Sequence, residues 1–90
     1  MIQHITIIVS GKVQGVFYRA SAKEKAKEIG VKGLVRNEPS GNVYIEAEAT
    51  AEALTEFVDW CKSGPARAQV QHVEVVRGEE KGFKSFDILR

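Results

Sequence analysis

The chain of 90 residues holds one cysteine, Cys61, and two histidines, His4 and His72. A single thiol excludes an intramolecular disulfide and any multi-cysteine zinc pattern, and it suits a reducing compartment. Each histidine falls within a strand pattern without clustered carboxylates, so no metal pair can be drawn, and both read as structural or surface residues. Net charge is also scarce, at +1 with histidine neutral. No broad basic field exists to hold nucleic acid or an anionic membrane, and any anion site must be local. Long apolar runs are missing too, and none approaches transmembrane length. The opening "MIQHITIIVSG" has no basic leader, and His4 and Thr6 interrupt its apolar run, so it does not read as a signal peptide. These absences predict a cytoplasmic protein with no nucleic-acid or membrane partner.

What is present is ordinary globular composition, with 43% hydrophobic and 28% charged residues, which predicts one domain over residues 1–90. From Ile5 the chain alternates, with Ile5, Ile7 and Val9 on one face, as in a strand. "ASAKEKAKEIG" places Ala22, Ala26 and Ile29 at helical spacing and ends on Gly30. Residues 31–37, "VKGLVRN", and the later "VYIEAEA" are β-like arms joined by the turn "EPSGN". On the second arm Val43, Ile45, Ala47 and Ala49 face one way. Tyr44, Glu46 and Glu48 then fall on a wet side, where the two glutamates read as solubilising charge. Thr50 is placed to cap a second helix with Leu54, Phe57, Val58 and Cys61 on its stripe, stopped at Gly64 and Pro65. An apolar run over 70–76, a turn-rich "RGEEKG" and a short "FDIL" complete the chain. The order β-α-β-β-α-β predicts an α+β, ferredoxin-like sandwich: two helices on one face of a mainly antiparallel sheet, plus a short extra C-terminal strand.

The stretch "GKVQGVFYR", residues 11–19, joins the first strand to the first helix. Gly11 and Gly15 allow a loop to wrap closely, and amides ahead of a helix N-terminus attract an anion. Arg19 adds a planar fork of donors suited to two phosphate oxygens. The alternative is that the glycines shape a tight connection and Arg19 is a solvated residue at the helix start. The pattern is not a Walker A loop, since Val16 and Phe17 follow the second glycine, and the third glycine of a dinucleotide fingerprint is missing.

"GKVQGVFYR" resembles the signature loop of the acylphosphatases, and "GLVRNEPSGNV" is similar to that family's strand-turn-strand segment. "FVDWCKSGPARAQVQHVEV" and "FKSFDIL" resemble its second helix, fourth strand and closing strand, so the likeness covers essentially the whole chain. Tyr18 stands where phenylalanine is commoner, and Ala49 where glycine is often seen. The resemblance implies a monomeric hydrolase that cleaves the carboxyl-phosphate bond of acyl phosphates without metal or other cofactor. It implies Arg19 as the phosphate-binding arginine and Asn37 as the residue that holds the attacking water. Backbone N–H groups of Gly15, Val16, Phe17 and Tyr18 would bind the remaining phosphoryl oxygens, and the phosphate itself would take the proton from the water. Independently, an acyl phosphate expels a carboxylate with a pKa of about 4, so its departure needs no general acid.

Taken without the family, Asn37 ahead of "EPSG" is also a good turn former. A rival class is a non-catalytic ferredoxin-like module that holds an anion in the same cradle or joins a partner through a sheet edge. Turnover of an acyl phosphate separates the two. An RNA-binding sheet would want aromatic and basic residues interleaved on the open face, whereas Tyr44 is followed by glutamates. Cys61, on an apolar stripe, reads as a small inert hydrophobe. Trp60 flanks that stripe, and Lys23, Lys25, Lys27 and Lys32 read as a solvated face.

Overall fold

In the computed structural model, which describes all 90 residues, the elements run β1 (Gln3–Lys12), α1 (Tyr18–Ile29), β2 (Lys32–Asn37), β3 (Val43–Ala49), α2 (Ala51–Ser63), β4 (Gln69–Gly78) and β5 (Phe86–Ile88). The strands form one sheet in the order β4-β1-β3-β2-β5. All neighbours are antiparallel except β2 and β5, which run parallel. Right-handed crossovers leave room for one strand between β1 and β2, and for one between β3 and β4. β3 and β1 fill those gaps, so the two halves interleave as the element order predicts.

Alternation decides which side of the sheet is dry. Ile5, Ile7 and Val9 of β1, with Val43, Ile45, Ala47 and Ala49 of β3, are buried under both helices. Ala22 and Ala26 face them from α1, and Leu54, Phe57 and Cys61 from α2, while Ile29 and Val58 close the margin half-buried. Cys61 is fully buried, and burial pushes its thiol up to about 12. Trp60 packs at the edge of this core, its ring 5.3 Å from Tyr18 and 6.2 Å from Phe57.

Tyr18 differs from a plain phenylalanine in a useful way. Its hydroxyl donates a 2.8 Å hydrogen bond to the Cys61 carbonyl, tying α1 to the end of α2 inside the core. Burial raises its pKa, so it remains a neutral donor. Tyr18→Phe is expected to cost about 1 kcal/mol of unfolding free energy, the net worth of one such bond, read from urea denaturation midpoints.

Gly11 does not belong to the loop, as its sequence reading supposed. It lies in β1 at a bulge against β4, where the register shifts between Ser10 and Gly11. Its φ of 121° is open to glycine, and a side chain there would run into the Gln69 carbonyl and come within 2.8 Å of the Gln71 nitrogen.

The wet side also needs correction. Glu46 and Glu48 do point away from the helices, yet they are only 5% and 3% exposed. The segment from Glu79 to Ser85, between β4 and β5, folds across this end of the sheet and covers them. Glu48 accepts hydrogen bonds from the main-chain N–H groups of Lys81, Gly82 and Phe83. Buried His4 shares a 2.7 Å hydrogen bond with the same carboxylate, and the Phe83 ring stacks over His4 at 6.1 Å. Glu46 takes a 2.9 Å bond from the Tyr44 hydroxyl and lies 2.8 Å from the Lys81 ammonium. Burial by itself would raise both carboxyls. The Lys81 partner, its ammonium at Glu46 and its amide at Glu48, and the other donors outweigh burial and hold both below the ordinary carboxylate range. His72, by contrast, is exposed.

Candidate active site

Between the end of β1 and the start of α1, residues 13–17 make a tight loop. Gly15 turns it with a φ of 72°. Phe17 follows with φ 64° and ψ 24°, and is the sole non-glycine residue with positive φ. A left-handed bulky residue costs about 1–3 kcal/mol and persists only where its surroundings hold it. Val13 and Val16 supply that hold, since both are buried in the core, while the Phe17 ring stands 70% exposed.

The two helix starts differ. At α2 the Thr50 side chain accepts from the Ala53 amide, and Glu52 sits in the first turn. At α1 the N-cap residue Phe17 gives no side-chain bond, and no acidic residue occupies the first turn. The N–H groups of residues 15–18 donate to no main-chain carbonyl. The positive end of the α1 dipole therefore meets the surface with its donors unused.

A pocket of about 310 Å³ opens at this point. Gly15, Phe17, Tyr18 and Arg19 line it from the loop and first turn, and Asn37 enters from the end of β2. Arg19 and Asn37, distant in sequence, thus share one hollow. Arg19 has no carboxylate within ion-pair distance, and its Nη1 donates a 3.2 Å bond to the Leu89 carbonyl. Leu89 is itself tied to β2, its N–H donating to the Val35 carbonyl at 2.8 Å. The Asn37 Oδ1 is buried and receives no hydrogen bond. A buried acceptor left without a donor is uncommon and requires a reason.

Of the six residues assigned to the site itself, Gly15, Val16, Phe17, Tyr18, Arg19 and Asn37, Val16 alone is absent from the lining; its side chain belongs to the core. Ile88 and Arg90 are lining residues the sequence did not flag. They arrive because β5 pairs parallel with β2, and a three-residue strand carries no signal of which neighbour it will choose.

The acylphosphatase family model matches residues 5–88. An acylphosphatase of Methylococcus capsulatus is 44% identical, over 98% of this chain and 97% of its own length. That of Thermus thermophilus is 46% identical, over 93% of this chain and 96% of its own. The crystal structure of the acylphosphatase from Bacillus subtilis superposes with a TM-score of 0.94 at 34% identity, covering 100% of both chains. Matched along nearly its whole length in sequence and in fold, the chain belongs to the acylphosphatase family.

Proposed function

We propose that this enzyme hydrolyses acyl phosphates to a carboxylate and inorganic phosphate, with Arg19 and Asn37 as its catalytic residues. The guanidinium of Arg19 and the N–H groups of Gly15, Val16, Phe17 and Tyr18 bind the three phosphoryl oxygens. Asn37 holds a water on the side opposite the leaving carboxylate. The water oxygen forms a bond to phosphorus, the bond from phosphorus to the acyl oxygen breaks, and its electron pair leaves with the carboxylate. A phosphoryl oxygen takes the proton of the water. Catalysis of this class rests on position and positive electrostatics, and here both come from the chain without a metal. One domain over residues 1–90 acts as a cytoplasmic monomer with no nucleic-acid partner.

The observation that carries this reading is the convergence on one pocket of an unpaired guanidinium, unshared helix-start amides and a carboxamide with an unsatisfied buried oxygen. No His, Asp or Glu lines that pocket, and the hydroxyl of Tyr18 is turned into the core onto the Cys61 carbonyl, so no side chain there is suited to protonate a poor leaving group. Turnover of acetyl phosphate should therefore exceed that of an alkyl phosphate monoester by about 10²–10⁴-fold, the factor a general acid would otherwise contribute. Comparable rates on both would overturn the mechanism. Tight binding of inorganic phosphate with no turnover of any acyl phosphate would leave only a binding module.

A further inference from the structure

Gln14 precedes Gly15 and points away from the core strands toward the β2–β3 turn. Its Nε2 donates two hydrogen bonds, each 2.8 Å, to the main-chain carbonyls of Glu38 and Asn42. Those carbonyls belong to the two ends of the turn, where the Glu38 N–H also donates to Asn42 at 2.9 Å and the Gly41 N–H to Glu38 at 3.0 Å. Both protons of one half-buried amide group are thus spent on a single turn. No main-chain hydrogen bond joins residues 13–17 to residues 37–42. The side chain of Gln14 supplies the hydrogen-bonded link instead, and it attaches immediately beside the residues that matter: Gly15 follows it, and Glu38 follows Asn37.

We propose that Gln14 is a positioning residue that sets the distance between the phosphoryl cradle and Asn37. This rests on the assignment of the phosphoryl group to the cradle and of the water to Asn37. Attack requires the water oxygen about 3–3.5 Å from phosphorus and in line, and a displacement of about 1 Å costs on the order of 10²-fold in rate. Gln14 lines no part of the pocket. Its loss leaves each half of the site whole and changes only their relation.

Two substitutions separate this role from a structural one. Gln14→Met keeps the length and loses both donors. Gln14→Glu keeps the shape and sets a carboxylate against two carbonyl oxygens. On acetyl phosphate, kcat is expected to fall about 10–100-fold for Met and further for Glu. The inhibition constant of inorganic phosphate should stay within about twofold of wild type, which also reports that the cradle is folded. Combined with Asn37→Ala, Gln14→Met should add no more than about a further twofold, because one mutation has already removed what the other aligns.

The inference fails if Gln14→Met keeps kcat within about twofold, if phosphate affinity falls in step with kcat, or if the double mutant loses the product of the two single effects. Asn37→Ala alone tells the two levels apart. Wild-type turnover there removes the water assignment and the role of Gln14 with it. A collapse there beside an unaffected Gln14→Met removes only the positioning role.

Discussion

Asn37→Ala is expected to lower kcat on a simple acyl phosphate by about 10²–10³-fold while inorganic phosphate still binds with near wild-type affinity. The carboxamide offers a donor and an acceptor on one rigid group, enough to hold a water and aim its lone pair. Its Oδ1 is buried and unpartnered, so no donor of the chain competes for it. Arg19→Lys should behave differently. Lysine keeps the charge but loses the planar fork, so both turnover and phosphate binding should weaken, with kcat/KM down about 10²–10³-fold. The Leu89 carbonyl that now orients Arg19 from 3.2 Å would face a differently placed donor. Steady-state kinetics with phosphate as competitive inhibitor distinguishes the two residues. Loss of phosphate binding in Asn37→Ala, or unaltered binding in Arg19→Lys, would reverse the proposed roles.

The largest effect on stability is expected far from this pocket. Glu48→Gln should cost about 3 kcal/mol at pH 7, because a buried carboxylate that accepts three main-chain N–H groups and a His4 bond loses its charge. The same carboxylate makes the fold acid-sensitive. Its pKa in the folded protein lies below the value of about 4.3 that is ordinary for an unfolded chain. The stabilisation is therefore complete above that ordinary value and is lost as pH falls through the lower, folded one. Glu46, held down by Lys81 and Tyr44 against its own burial, adds to the trend with the same sign. Urea unfolding at pH 6 and pH 3 should show wild type losing more stability than Glu48→Gln over that interval. Parallel losses would mean that Glu48 is not the titrating group.

The periodic parts of the chain were the legible ones. Ile5, Ile7 and Val9 alternate and Leu54, Phe57 and Cys61 follow a helical stripe, so strands, helices and their dry faces could be read directly. The element order then left little choice of sheet topology. Arg19 was flagged by its place at the close of the glycine loop, but the role of Asn37 and its pairing with Arg19 came from likeness to a known family, since nothing local to either residue says they meet. Glu46 and Glu48 were misplaced because alternation gives the side of a sheet and not what lies on it. The donors that bury Glu48 are main-chain amides of residues 81–83, and an amide has no sequence signature. Gln14 escaped for the same reason, as its partners are carbonyls of Glu38 and Asn42. Gly11 was assigned to the wrong task because a bulge and a loop ask the same residue type for different geometry.

The lone thiol of the molecule has a practical use that follows from where it lies. Cys61 is sealed beneath both helices and keeps its proton at ordinary pH. An alkylating reagent meets a reactive thiolate only after α2 has left its place. The rate at which iodoacetamide tags the native protein is therefore a clock for spontaneous opening, with no engineered label to disturb what it times.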